Sequence, residues 1–398
     1  MNENRRSSGD LAVLGSPPAF ATMLSAGQQY FASWERYESA FRGIFERQYY
    51  TNQGPLAAEL ERRLQTFLGV KHAVCVTNHG IALVMAAEAM GLAGKVIVPG
   101  LSHIRTVQSL TWAGLEPVFC DVDPATGHID PDAAASLIDA ETSAILGVNL
   151  WGGACDHAAL QAFADRHGIS LYFDSSHAFG SIADGTRVGN FGRAEVFSFH
   201  ADNVVNAADG ACICTNDDAL AAKLRNIRSS YGAGPPVEVV KTSNGRMSEA
   251  QAALALLGLE DYVGNQARNA SLFARYQAVL SGIPGLRVVP ACSVDQSNHQ
   301  HLVCEVQEAT FGLSRDLLLQ VLNAENVGAR RPLHPIGYGS TLYPSASYAR
   351  LPTTEGMNRS LLQLPLGMQV TGEAVDRIGD SLRIAHRYAA QIRRKLGA

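Results

Sequence analysis

Residues 72–99 read HAVCVTNHGIALVMAAEAMGLAGKVIVP, and they decide the fold class of this chain. Two short apolar runs rich in valine, 72–76 and 95–99, flank a segment from Ile81 to Ala93 with the length and composition of a helix. Strands that are apolar along their whole length and alternate with helices are typical of a mainly parallel sheet covered on both faces. The stretch therefore predicts an α/β fold with right-handed crossovers.

The same alternation continues from about residue 54 to residue 216. It predicts further strands at 117–122, 144–149 and 170–174, and further helices at 103–113 and 157–167. Beyond residue 217 the pattern changes to helices at 217–230 and 248–267 around a Gly/Pro loop at 232–236. A smaller α+β unit follows, with a strand at 301–306 and helices at 314–325 and 371–395. We therefore predict an N-terminal tail (1–25), a large domain (26–265) and a small C-terminal domain (266–398).

Composition excludes several classes of protein. The 398 residues include 46% hydrophobic ones, enough for an ample core, and the net charge of −5 comes without a run of lysine or arginine. This balance argues against nucleic-acid and membrane-surface partners. The polar start of the chain is followed by no apolar stretch long enough for a signal peptide or a membrane span. We expect a cytoplasmic protein.

The seven cysteines are predicted to be free thiols in a reducing compartment. Five of them lie in apolar runs that resemble strands: Cys75, Cys120, Cys212, Cys214 and Cys304. No fourth cysteine follows Cys155, Cys212 and Cys214 at the short spacing of an iron–sulfur cluster. Because no histidine or cysteine pattern has metal-ligand spacing either, we predict no metal site.

Two positions are candidates for ligand binding because of where they fall on the predicted elements. Asp174 ends a strand, and open α/β sheets bind ligands at the carboxyl ends of their strands. Asn78, His79 and Gly80 follow the strand at 72–76 and begin a helix. The free N–H groups and the dipole at a helix N-terminus attract phosphate.

Segments along nearly the whole chain resemble the DegT/DnrJ/EryC1/StrS family of sugar aminotransferases, which use pyridoxal phosphate (PLP). The segments are 67–74, 112–124, 174–181, 197–210 and 244–253. The resemblance implies a type I PLP-dependent transferase fold, with a large, mainly parallel seven-stranded sheet domain and a small C-terminal α+β domain. It also implies a homodimer with shared active sites and a keto-sugar or cyclitol substrate from a biosynthetic pathway of secondary metabolism.

The resemblance implies three contacts to the cofactor ring and phosphate. Asp174 corresponds to the aspartate that pairs with the pyridinium nitrogen, a contact worth about 4 kcal/mol at roughly 4 Å and an effective dielectric constant of about 20. His177 corresponds to the residue beside the ring hydroxyl. Ser198 corresponds to a serine that binds the phosphate.

Three more cofactor positions depart from the family or lie across subunits. Relatives usually have Ser/Asn-Gly-Thr where this chain has Asn78-His79-Gly80, so a phosphate-binding hydroxyl is lost and an imidazole is added. His103 replaces an aromatic residue that stacks on the cofactor ring. Asn244 resembles an asparagine that reaches the phosphate of the neighbouring subunit's cofactor.

Substrate contacts are expected from the small domain. Arg330, Arg331 and His334 lie in the region where relatives place residues that touch the substrate. An arginine there suits a carboxylate or a nucleotide phosphate.

The stretch FSFHADNVVNAADG, residues 197–210, resembles the family's Schiff-base segment, which reads roughly S-F-H-x-x-K-x-x-N-x-x-E-G-G. Asn203 stands at the lysine position, and an amide neither forms an imine with PLP nor carries a proton to and from carbon. The lysines elsewhere are Lys71, Lys95, Lys223, Lys241 and Lys395. Of these, only Lys241 is a candidate to replace the missing one, from a neighbouring subunit.

Four histidines are expected around the predicted cleft: His79, His103, His177 and His200. Histidine is the usual general base near neutral pH, and His200, His103 and His79 are our candidates for that role beside Asn203. Three hypotheses stay open. The chain is an enzyme that holds PLP or pyridoxamine phosphate (PMP) non-covalently and performs dehydration, elimination or other noncanonical chemistry. Alternatively, it is a silent or cofactor-free homologue with a repurposed histidine-rich pocket, or a sugar aminotransferase that carries a Lys-to-Asn substitution.

Overall fold

The structure is a computed structural model that describes residues 11–27, 30–229, 236–340, 342–343 and 350–397. Most of the predicted Gly/Pro loop at 232–236 lies outside the described residues, as does the start of the predicted tail. The helices are α1 Trp34–Arg47, α2 Pro55–Leu68, α3 His79–Met90, α4 Ile104–Trp112, α5 Pro131–Ala135, α6 His157–His167, α7 Asp218–Arg228, α8 Glu249–Leu280, α9 Glu308–Phe311, α10 Arg315–Ala324, α11 Pro352–Ser360, α12 Gly372–Arg387 and α13 Ala389–Leu396. The strands are β1 Leu24–Ser25, β2 His72–Val76, β3 Lys95–Pro99, β4 Glu116–Cys120, β5 Thr142–Val148, β6 Ser170–Asp174, β7 Ile182–Ala183, β8 Thr186–Arg187, β9 Glu195–Ser198, β10 Ala211–Thr215, β11 Leu286–Val288, β12 Leu302–Val306, β13 Val327–Gly328 and β14 Leu361–Leu364.

A seven-stranded sheet forms the centre of the fold, in the order β2-β10-β9-β6-β5-β3-β4. The five neighbouring strands β4, β3, β5, β6 and β9 pair in parallel. Strand β10 runs antiparallel to both of its neighbours, β9 and β2. The prediction of a mainly parallel seven-stranded sheet is confirmed. The antiparallel β10 follows β9 directly, through the stretch 199–210.

Helices cover both faces of this sheet because successive side chains of a strand point to opposite faces. Val74 and Val76 of β2 belong to the cluster that packs α3, α4 and α7 on the sheet. Ala73 and Cys75 belong to the cluster on the other face, with α2 and α8. The side chains of β2 are apolar on both faces of the sheet. This explains why the sequence of β2 lacks the alternation of polar and apolar residues that a half-exposed strand shows.

The parallel strands bring their carboxyl ends to one edge of the sheet. Asp174 is the last residue of β6, and Ser198 is the last residue of β9. The N-terminus of α3 follows β2 at His79. This edge is where the predicted ligand residues meet.

Helix α8 joins the large sheet to the C-terminal part of the chain. A capping box between Ser248 and Gln251 starts it, and it continues to Leu280, beyond the predicted end at residue 267. The predicted domain boundary at residues 265 and 266 therefore lies inside one continuous helix. A three-stranded antiparallel sheet, β11-β12-β14, follows it. The last helix, predicted at 371–395, is two helices that meet at Tyr388.

The described part of the predicted tail packs against the C-terminal unit. Leu11 is fully buried in the C-terminal core, and β1 pairs in parallel with β13. The buried carboxylate of Glu325 accepts hydrogen bonds from the backbone N–H groups of Ala12 at 2.6 Å and Ala19 at 2.7 Å. Among the described residues, no helix has the length and apolarity to span a membrane.

Candidate functional site

A cleft at the carboxyl edge of the large sheet contains most of the predicted site residues. One wall comes from the ends of β6 and β9 and the starts of α3 and α4, and the other comes from the C-terminal unit. Nine predicted residues line it: His79, His103, Asp174, His177, Ser198, His200, Asn203, Arg331 and His334. Asn78 and Gly80 line an adjoining recess, which shares His79, Ser198 and His200 with the cleft.

Asn244 is the one predicted residue outside both parts of the cleft. It has the left-handed backbone conformation, with φ of 49°, and its side-chain oxygen accepts a hydrogen bond from Arg246. Its loop lies beside the end of β2, where the N–H of Thr77 donates to the carbonyl of Gly245. Within one chain, Asn244 is therefore close to the start of α3 but does not face the cleft.

Asp174 is a buried carboxylate surrounded by donors. Its Oδ2 accepts from the Thr106 hydroxyl at 2.7 Å, and its Oδ1 accepts from the Ser176 hydroxyl at 2.6 Å. Nε2 of His79 lies 3.0 Å from Oδ1, although it is off the line of a hydrogen bond. Burial opposes ionisation, but His79 and the two hydroxyls outweigh it and hold the pKa of Asp174 well below its usual range. The edge of the sheet therefore carries a fixed negative charge.

The recess beside Asp174 has the features of an anion site. Asn78 caps α3 by accepting from the N–H of Ile81 at 2.9 Å, so its side chain is already used by the helix. Arg105 and Ser198 line the same recess. Free N–H groups at a helix start, a hydroxyl and a guanidinium together suit a phosphate.

Two of the predicted histidines stay uncharged at neutral pH. Burial and the nearby Arg105 lower the pKa of His103 to about 4, and its Nδ1 accepts from the N–H of Arg105 at 3.1 Å. Burial lowers the pKa of His177 to about 4 as well. The ring of His177 lies 4.2 Å from that of His301, and its buried Nδ1 has no hydrogen-bond partner among the described residues.

Asn203 is buried and held at both ends of its amide. Nδ2 donates to the carbonyl of Ser198 at 2.7 Å, and Oδ1 accepts from Nε2 of Gln300, also at 2.7 Å. Gln300 in turn accepts from the N–H of Val204 at 3.0 Å. The cleft is therefore built around an amide at this position.

No lysine lines the cleft, and all five lysines lie in the described part of the chain. Lys71 pairs with Asp218, Lys95 with Asp139, and Lys241 with Glu88, all in partly or largely exposed positions. No amine of this chain is therefore placed to react with a carbonyl compound in its own cleft.

Several polar residues of the cleft were missed by the sequence analysis. His301 is buried between the side-chain amides of Gln300 at 3.1 Å and Gln363 at 3.0 Å. Arg330 donates to Gln363 at 3.0 Å and to Asp202 at 3.2 Å. Arg330 is the exception, because the sequence places it beside Arg331 and His334 in the expected substrate region. Asp202 also had a signal, because it is next to Asn203. His301 and Gln363 come together through the pairing of β12 with β14.

The residues of the cleft fit a PLP-type cofactor. Asp174 offers a carboxylate for a ring nitrogen, and the unpartnered Nδ1 of His177 offers a donor or acceptor beside it. The recess at α3 offers a phosphate site. These are the groups that would hold the cofactor.

Comparisons with known proteins agree with this geometry. A model of the DegT/DnrJ/EryC1/StrS aminotransferase family matches residues 34–383. A dTDP-4-amino-4,6-dideoxy-D-glucose transaminase of Shigella dysenteriae is 34% identical over 74% of this chain and 80% of its own length. An Escherichia coli transaminase with the same activity in its name is 30% identical over 84% of this chain and 91% of its own length.

Solved structures show the same fold. DesI, crystallised in the presence of its TDP-sugar product, matches with a TM-score of 0.93 at 36% identity, over 98% of this chain and 100% of DesI. PseC of Helicobacter pylori, an aminotransferase involved in pseudoaminic acid biosynthesis, matches with a TM-score of 0.84 at 25% identity, over 91% of this chain and 98% of PseC. The predicted type I PLP fold is confirmed.

Proposed function

Because the chain belongs to the DegT/DnrJ/EryC1/StrS aminotransferase family, we propose that it holds PMP or PLP non-covalently and acts on a keto-sugar or cyclitol. Its chemistry is then dehydration, elimination or another reaction that needs no Schiff-base lysine. One observation carries this proposal. Asp174, His177 and Ser198 line one cleft with Asn203, which is hydrogen-bonded at both ends and stands at the position that the resemblance assigns to the lysine.

The cofactor would supply an electron sink at its ring, and Asp174 would keep the ring nitrogen protonated. Ser198 and the start of α3 would bind its phosphate, with Gly80 and the backbone beside Asn78. Asn244, in the loop beside the end of β2, would reach the phosphate only from a neighbouring subunit. These contacts replace the covalent anchor, so we expect weaker binding than a lysine-bound cofactor shows.

In place of a lysine, another residue must carry the proton to and from the carbon of the substrate. Among the three candidates, His103 has a pKa lowered to about 4, which makes it a weak base at neutral pH. His79 faces Asp174. His200 lies where the cleft and the recess meet, and 45% of its side chain is exposed. We therefore assign proton transfer to His200.

The substrate would enter from the side of the C-terminal unit. Arg331 and His334 line that wall, and Arg331 is held by Asp316 at 2.9 Å. The relatives named above act on dTDP-linked amino-sugars, so a nucleotide-linked sugar is the first substrate to test. Arg331 would then contact a phosphate of the nucleotide.

Two alternatives remain, each with an observation behind it. Nε2 of His79 already lies 3.0 Å from the buried carboxylate of Asp174, which favours a cofactor-free or silent homologue. The presence of Asp174, His177 and Ser198 in one cleft favours a sugar aminotransferase that carries a Lys-to-Asn substitution. The predicted homodimer has support in an apolar strip on α1. Trp34 and Phe45 of this strip are exposed, and Tyr37 and Phe41 are half-buried.

An absorbance titration tests the proposal. Adding PMP to the protein is expected to give a saturable change in absorbance at about 330 nm, where the amine form of this cofactor class absorbs. Adding a dTDP-linked 4-keto-sugar to this complex should then change its absorbance. A protein that shows no saturable change with PMP or with PLP contradicts the proposal and leaves the cofactor-free alternative.

A further inference from the structure

The imidazole of His200 is held from one side by a carboxylate. Its Nδ1 lies 2.8 Å from Oδ1 of Asp202. Burial opposes ionisation of Asp202, but the contacts with His200 and Arg330 hold its pKa well below the usual range. Because an ionised carboxylate only accepts hydrogen bonds, Nδ1 of His200 carries the proton in this contact. Nε2 is then the ring nitrogen that can take up or release another proton.

Asp202 is itself fixed by two other segments of the chain. Its Oδ2 accepts from Nη2 of Arg330 at 3.2 Å, and Nε of Arg330 donates to Gln363 at 3.0 Å. The backbone at Gly27 covers the pair, because a Cβ there would lie 2.9 Å from Nη1 of Arg330 and 3.2 Å from Oδ2 of Asp202. The carboxylate therefore has little freedom to leave His200.

The other titratable groups near this pair do not compete for its role. His177 and His301 face it from the loop after β6 and from the start of β12, and burial lowers the pKa of both. Arg330, beside β13, supplies a permanent positive charge. In the cleft, His200 alone among the histidines that the structure describes combines a carboxylate at Nδ1 with a half-exposed ring.

We propose that Asp202, held by Arg330, is a positioning residue that presents Nε2 of His200 as the base and acid of the reaction. This inference rests on the proposed function. In the proton transfer, a C–H bond of the substrate breaks while an N–H bond forms at Nε2, and the electron pair stays on the carbon. The imidazolium later returns the same proton to a carbon or to a departing oxygen. No oxidant or reductant is needed.

The Asp202→Asn variant tests this inference with two readouts. The first is the tautomer of His200, read from ¹⁵N NMR of labelled protein and assigned with His200→Gln. We expect the Nδ1–H form to dominate in the unsubstituted protein and a mixture of tautomers in Asp202→Asn. The second is the rate at which the PLP complex exchanges the sugar C4 proton of dTDP-4-amino-4,6-dideoxy-D-glucose with D₂O. We expect a loss of about 10²-fold, the lower end for a general base, and partial rescue in Asp202→Glu.

Another Asp–His pair of this chain provides the control. Nε2 of His72 lies 2.7 Å from Asp218 on the surface, away from the cleft. Asp218→Asn should leave the exchange rate and the His200 tautomer unchanged. The inference is overturned if Asp202→Asn keeps both the tautomer and the rate. If the unsubstituted protein binds no PLP or PMP, the proposed function fails, whereas the tautomer still decides whether Asp202 positions His200.

Discussion

Replacing Asn203 by lysine is expected to convert the chain from one that releases PLP into one that bonds it covalently. Asn203 lines the same cleft as Asp174, and the longer lysine side chain would extend from this position toward the bound carbonyl. Borohydride should then fix about one PLP per chain of Asn203→Lys, against none in the unsubstituted protein. Mass spectrometry of the reduced protein and of its peptides measures this directly.

The substitution also removes two buried hydrogen bonds. The carbonyl of Ser198 and the amide of Gln300 each lose a partner, which we expect to cost about 1–3 kcal/mol of unfolding free energy. Asn203→Met therefore serves as the matched control, because it loses the same hydrogen bonds but brings no amine. A folded Asn203→Lys that binds PLP but is not fixed by borohydride would show that Asn203 does not stand at the Schiff-base position.

Replacing Asp174 by asparagine is expected to weaken cofactor binding by up to about 10³-fold. The pair between a carboxylate and a ring nitrogen is worth about 4 kcal/mol at roughly 4 Å, and each 1.4 kcal/mol is a factor of ten. The amide keeps the shape of the side chain but not its charge. Equilibrium titration with PMP gives the dissociation constant, and Asp121→Asn is the control, since Asp121 caps α11 outside the cleft.

The pH dependence of this contact has a definite sign. The pKa of Asp174 is lowered in the folded protein, so its stabilising contribution is complete above the usual aspartate pKa of 3.8. This contribution is lost only as the pH falls through the lower folded pKa. PMP binding should therefore not weaken through Asp174 between pH 8 and about pH 5. Equal affinity of Asp174→Asn and the unsubstituted protein would contradict the role of this carboxylate.

The sequence predicted those parts of the fold and site that depend on local patterns. Apolar strands that alternate with helices gave the parallel sheet, and the end of the strand at Asp174 gave the position of the cleft. The start of α8 was predicted, but its length was not. Leu272, Phe273, Tyr276 and Leu280 recur at helical spacing and pack into the C-terminal core, so this part of the helix had a local signal that was missed. No glycine or proline marks the break at Tyr388.

The polar network of the cleft depends on long-range pairing that no local pattern reveals. Gln363 meets His301 and Arg330 because β14 pairs with β12 and because Arg330 forms a bridge to Gln363. Gln300 reaches Asn203 across 97 residues of sequence. These contacts build Asn203 into a hydrogen-bonded network that no local pattern predicts.

We propose above all that this cleft holds a PLP-type cofactor without a covalent bond to the chain. The intact mass of the unsubstituted protein tests this after saturation with PLP, borohydride reduction and removal of free cofactor under denaturing conditions. We expect an unmodified mass despite saturable binding before denaturation. A stoichiometric increase in mass, mapped to one lysine such as Lys241, would contradict it and show that an amine from a neighbouring subunit completes the site.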